Sequence, residues 1–113
     1  MLTIYHNPRC SKSRQTLDII KEAGAEVEIV EYLKEVPTAE ELKALLNKLN
    51  LEAKDILRKG EPVFKEQFKG KELSEDEWIA AMVAYPKLIE RPIVVKGNKA
   101  VLGRPPENVK TLF

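Results

Sequence analysis

Apolar residues fall into short β-like runs near both ends of the chain and into helical spacings between them. Leu2 to Tyr5 is an apolar run with threonine and tyrosine that stops at His6-Asn7-Pro8, where proline disfavours a continuing central strand. From Ser11, the positions Leu17, Ile20 and Ala23 recur at helical spacing, and Gly24 stands where a C-terminal cap would sit. This predicts a helix beginning at or beside Cys10. Val27 and Ile29 alternate with Glu26 and Glu28 before Val30 and Tyr32 break the pattern, as in a strand with one face more buried. Two strands joined by a helix predict a right-handed βαβ unit with parallel strands.

The middle of the chain reads as helical. Thr38 and Glu41 form a capping box ahead of Leu42, Leu45, Leu46 and Leu49, and Asn50 is placed to end that helix. Ala53 to Lys59 predicts a further short helix stopping at Gly60, with Arg58 near its end and a turn or loop from Glu61-Pro62. The charged stretch Lys65 to Glu77 reads as solvated surface. Ser74 and Glu77 make a second capping box, followed by Trp78, Ile79, Met82 and Val83, with an end near Tyr85-Pro86. Ile93 to Val95 and Ala100 to Leu102 predict an antiparallel hairpin turning at Gly97-Asn98, and Gly103-Arg104-Pro105-Pro106-Glu107 leads into a short last helix. Tyr5, Phe64 and Trp78 read as packing aromatics.

Length and composition narrow this to a single α/β domain over residues 1–113, with a helical insertion over about 38–86. Nineteen basic residues against 18 acidic ones leave no global field for a polyanion, which argues against nucleic-acid binding driven by bulk charge. No apolar stretch approaches the roughly 20 residues that cross a bilayer. The opening MLTIYHNP lacks the basic and long apolar regions of a secretory signal, and one cysteine cannot make an internal disulfide, so a cytoplasmic protein is expected.

Candidate chemistry centres on that cysteine. A strand, the turn His6-Asn7-Pro8-Arg9 and then Cys10 at a helix start set the sulfur beside unpaired backbone N–H groups and the positive end of the helix dipole. Arg9, Lys12 and Arg14 add positive charge, so a partly ionised thiol at neutral pH is expected. The same amides could cradle a tetrahedral oxyanion against the sulfur. The bland reading is that Cys10 is a small buried hydrophobe. Ser13 occupies the place of the second thiol of a Cys-x-x-Cys pair, and Thr16 the place of the arginine in Cys-x5-Arg phosphatases, so neither motif is present. Turnover that oxidised the sulfur would need an outside thiol to resolve it.

Four segments, Tyr5-His6-Asn7-Pro8-Arg9-Cys10-Ser11-Lys12-Ser13-Arg14, Leu57-Arg58-Lys59, Glu90-Arg91-Pro92-Ile93-Val94-Val95 and Gly103-Arg104-Pro105, follow the order found in glutaredoxin-dependent arsenate reductases. The chain resembles that family along essentially its whole length. The resemblance implies a thioredoxin-like fold, a mixed four-stranded sheet with an inserted helical region. It implies that Cys10 attacks arsenate while Arg58, Arg91 and Arg104 bind the oxyanion and the arsenylated intermediate. A guanidinium suits that task because it presents paired donors and stays charged throughout. His6, Asn7, Ser13, Arg14 and Pro92 are expected to bind or support substrate. Pro92 is expected to follow a cis bond, although the sequence by itself permits either isomer. His6 matches a family histidine that influences the thiol's ionisation, and reads equally well as a strand-end histidine with structural hydrogen bonds.

The expected activity is therefore reduction of arsenate by a monomer with no bound cofactor or metal, using glutathione as co-substrate and glutaredoxin to restore the thiol. The runner-up readings are a related thiol-dependent reductase with another substrate, and a redox-sensitive regulator that binds RNA polymerase.

Overall fold

β1, Leu2–Tyr5, buries Leu2 and Ile4 completely or nearly so, and alternates them with half-buried Thr3 and Tyr5, as period-two pleating requires. The computed structural model describes residues 1–113. After β1 come helix α1, Ser11–Glu22, and strand β2, Val27–Val30. Helices α2 (Ala39–Leu49), α3 (Pro62–Gln67) and α4 (Glu75–Ala84) follow, then strands β3 (Ile93–Lys96) and β4 (Lys99–Leu102). Short 3-10 turns cover Ala53–Ile56, Pro86–Leu88 and Pro106–Leu112. No helix is long and apolar enough to cross a membrane.

The chain divides into two compact units, Met1–Glu35 with Arg91–Phe113, and Val36–Glu90. The first unit holds a four-stranded sheet of order β2-β1-β3-β4. β1 runs parallel to β2, with Ile4 opposite Ile29, and antiparallel to β3, with Ile4 opposite Val94. The parallel pair follows from the crossover through α1. β3 and β4 form the predicted hairpin, and Gly97 at φ 59 with Asn98 on the negative side matches a type II′ turn, whose first central residue needs a left-handed backbone. Leu2, Ile4, Leu17, Ile20, Val94, Val109 and Leu112 make one apolar core between sheet, α1 and the C-terminal 3-10 turn. Each such side chain contributes about 1.5–3 kcal/mol by leaving water.

The second unit is held by caps and aromatic packing. Thr38 and Glu41 close a capping box on α2, Ser74 and Glu77 another on α4, and Asn50 ends α2 in a left-handed conformation, φ 58. The Glu75 carboxylate accepts the Ala53 N–H at 3.0 Å, tying the first 3-10 turn to α4. Phe64 stacks on buried Trp78 with centroids 6.1 Å apart, and Phe68 meets both Trp78 and Tyr85.

Three local expectations need correction. The helix expected over Ala53 to Lys59 ends at Ile56, because Leu57 is extended and bridges to Ile89, and the Arg58 N–H goes to the Leu88 carbonyl at 2.8 Å. Backbone pairing with a distant segment outcompetes the next helical turn, and Arg58 lies beyond the turn. Glu61-Pro62 opens α3 rather than a loop, since proline at the first helical position gives up only an N–H that would lack a helical partner. β2 shows no consistently buried face, with Ile29 43% exposed, because it is an edge strand.

Candidate active site

Cys10 is the N-cap of α1, in extended conformation at φ −95 and ψ 123, with its backbone on the threshold of the helix. No side chain caps that end and no acidic residue lies in the first turn. The first-turn N–H groups and the positive dipole end of α1 are therefore left without competition from a carboxylate. Cys10 is buried, at 8% exposure.

Asn7 builds the loop that delivers the thiol. Its carbonyl accepts the Cys10 N–H at 3.0 Å, closing a turn through Pro8 and Arg9, and its Oδ1 accepts the Arg9 N–H at 3.0 Å. Arg14 reaches back across the turn and donates from Nη1 to the Pro8 carbonyl at 2.9 Å. Its guanidinium thus braces the loop as well as adding charge.

Ser13 and His6 form a buried polar pair behind this loop. Ser13 Oγ accepts the Asn7 N–H at 3.0 Å and lies 2.6 Å from His6 Nδ1. The serine hydroxyl, with one donor and two acceptor sites, serves both the Asn7 amide and the imidazole and ties the loop to His6. Burial holds His6 below its ordinary value of 6.5, helped by Lys21 and Arg14 and opposed by Glu31. The imidazole is neutral at pH 7. A Ser13→Ala change leaves the Asn7 amide and Nδ1 without their partner, and an expected cost of about 1–3 kcal/mol would appear in urea unfolding.

The sign for His6 follows from its depressed value. Well above 6.5 neither folded nor unfolded histidine is charged, so its contribution is constant there. As pH falls below 6.5 the unfolded chain binds the proton first, and stability drops until the folded value is passed. The unfolding midpoint should therefore decline from pH 7 towards pH 5, and His6→Gln should flatten that decline. An equal slope in both proteins would refute the assignment. Glu77, held low by the Ser74 backbone N–H, loses its contribution only below 4.5, a separate window.

The hairpin brings Arg91, Pro92 and Arg104 into the same unit as Cys10. The Arg91-Pro92 bond is cis, as expected from the resemblance, and Arg104-Pro105 is cis as well, which was not anticipated. Arg104 Nη1 donates to the Arg91 carbonyl at 3.4 Å, and Nε and Nη1 of Arg91 are removed from solvent. Arg58 belongs to the helical unit. There its Nη1 meets Glu61 at 3.1 Å and its Nε meets Glu90 at 3.7 Å, so two carboxylates share its charge.

Two further residues hold this end of the sheet unit together and were not singled out as supporting groups. Thr16, fully buried, donates from Oγ1 to Lys12 O at 2.8 Å and lies 3.4 Å from Gly103 O. A Cβ on Gly103 would stand 2.5 Å from Thr16 Oγ1 and 2.7 Å from Pro92 Cγ. Gly103 also donates its N–H to the Pro92 carbonyl at 2.9 Å. The helix that starts at Cys10, the cis-proline and the segment leading to Arg104 thus converge on one close contact that only glycine permits. The sequence signal was the Gly-Arg-Pro run itself, whose first residue carries the packing constraint.

Comparison with known proteins fits this layout. The model of the ArsC family matches residues 5–112. The chain is 51% identical over 108 residues to uncharacterized protein YfgD of Escherichia coli (strain K12), covering 94% of this chain and 91% of that one. It is 41% identical over 114 residues to an arsenate reductase of Neisseria meningitidis serogroup A, covering 99% and 97%. A solved structure of an arsenate reductase from Vibrio cholerae superposes with a TM-score of 0.95 at 46% identity, covering 99% of this chain and 97% of that one. Its thioredoxin-like architecture is the one described above. With the family model spanning almost every residue and sequence and fold agreeing over the same length, the chain belongs to the ArsC family.

Proposed function

We propose that this protein is an oxidoreductase that reduces arsenate to arsenite through Cys10. The observation that carries the reading is the position of that thiol, the N-cap of a helix of 12 residues with neither an acidic residue nor a side-chain cap to compete for its amides. Two relatives bearing the name arsenate reductase, at 41% and 39% identity, support the choice of substrate.

The thiolate of Cys10 attacks arsenic, an S–As bond forms, and one arsenate oxygen leaves as water after protonation. Glutathione's thiolate then attacks the Cys10 sulfur. An S–S bond forms as the S–As bond breaks, and its electron pair reduces As(V) to As(III), which departs as arsenite. Glutaredoxin thiolate attacks the glutathione sulfur and frees Cys10. Ser13 supplies no second thiol, so the electrons come from outside the chain. Arg91 and Arg104 neutralise the bound oxyanion and each anionic adduct by paired N–H donors. Arg58 is the third guanidinium that the resemblance assigns to this task. Asn7, Arg14 and the Ser13-His6 pair hold the loop in shape. The reaction belongs in the cytoplasm, where the glutathione pool is reducing.

A coupled assay with arsenate, glutathione, glutaredoxin, glutathione reductase and NADPH tests this. NADPH oxidation that requires both arsenate and glutaredoxin is expected. Oxidation that is indifferent to arsenate would reject the reading.

A further inference from the structure

The helical unit, Val36–Glu90, contains a cavity of about 490 Å³ that plays no part in the chemistry above. Its apolar wall is Leu57, Phe64 and Trp78, and three lysines, Lys54, Lys59 and Lys71, line it with a single acid, Glu72. The lysines are exposed, and none of them is in the ion pairs Lys34–Glu31, Lys43–Asp76, Arg58–Glu61 and Arg58–Glu90. Lys71 Nζ is placed over the Phe68 ring, 5.9 Å from its centroid, which holds one ammonium near the aromatic cluster.

This concentration of positive charge does not reflect the composition of the unit. Val36 to Glu90 contains nine basic and eleven acidic residues. Three ammonium groups against one carboxylate leave the lining with net positive charge, which an anion seated among them would offset. The volume is that of a small-molecule pocket, and its combination of apolar wall and a few convergent charges is the usual recipe for such sites.

We infer that this cavity binds a small amphipathic anion, a flat apolar ring carrying a phosphate. The ring lies against Leu57, Phe64 and Trp78, and the phosphate meets the lysines, which act on it as point charges. Neither Cys10 nor any of the arginines takes part, so the inference stands or falls apart from the reductase reading.

Trp78 is the only tryptophan of the chain, so its fluorescence reports on this cavity alone. Adenosine monophosphate and phenyl phosphate, titrated into the full chain, are expected to change that fluorescence saturably and to shift the amide resonances of Lys54, Lys59 and Lys71. Adenosine without the phosphate, and inorganic phosphate without the ring, should each bind about tenfold more weakly or worse. Lys59→Gln with Lys71→Gln should weaken binding of adenosine monophosphate about tenfold while leaving the thermal midpoint in place. Should the double variant fail to fold, each single variant carries the same comparison. The inference is overturned if neither probe gives a saturable response, if either half-ligand binds as well as the whole, or if the folded variants bind as tightly as the parent.

Discussion

Replacing Cys10 by serine is expected to lower arsenate-dependent NADPH oxidation at least about a thousand-fold, to the background of the coupled system, with no change in secondary structure. Serine is close to cysteine in shape, and the N-cap position accepts it readily, since a serine hydroxyl caps a helix well. The variant should fold at least as stably as the parent. What it loses is a sulfur nucleophile that forms a bond to arsenic from which an attacking thiol can take over. A serine protein that retained more than a tenth of the turnover would show that Cys10 is not the nucleophile. The helix start, however well placed, would then serve only to shape the loop.

Gly103→Ala should destabilise the sheet-bearing unit by about 1–3 kcal/mol or more, read as a shift in the urea midpoint at constant slope. The added methyl would fall 2.5 Å from Thr16 Oγ1 and 2.7 Å from Pro92 Cγ, and Thr16 is fully buried, so its side chain cannot swing into solvent. Relief must come from moving α1 or the Pro92 segment. Adding Thr16→Ala removes two of the three close atoms, so the double variant should recover part of the loss, a coupling expected only of residues in contact. Additive effects would contradict the contact. Because Cys10 is the N-cap of α1 and Gly103 precedes Arg104, activity should fall further than the folded fraction alone explains.

Much of this architecture was legible because its signals are local. The capping boxes at Thr38 and Ser74 are written in four-residue windows, and both are formed. The hairpin turn at Gly97-Asn98 needs one residue at positive φ between two apolar runs. Cys10 as a helix start followed from a proline-stopped strand and the spacing of Leu17 and Ile20, and the helix does begin at Ser11. What escaped is set by tertiary partners that no local pattern announces. The bridge between Leu57 and Ile89 ends a helix that periodicity would have continued, and no pattern near Leu57 announces Ile89. Arg58 could be seen as a charge beside a turn, but its two carboxylates, Glu61 and Glu90, lie on different segments. In sequence, Ser13 stands in the place of a second thiol and among the supporting residues, with no pattern to name its partners. Its positive role, bridging the Asn7 amide and His6, depends on two residues of the preceding turn folding back on it.

The pairing of β1 with β3 leaps over the whole of Val36–Glu90, so the sheet-bearing unit is assembled from the two ends of the chain. Joining distant ends has an entropic penalty that grows only with the logarithm of the intervening length, about 0.6 kcal/mol for each doubling. Lengthening or trimming surface turns of the intervening unit therefore hardly taxes closure of the sheet. A scaffold wired in this way can vary its helical half in size and surface while the strands that frame the thiol keep their register.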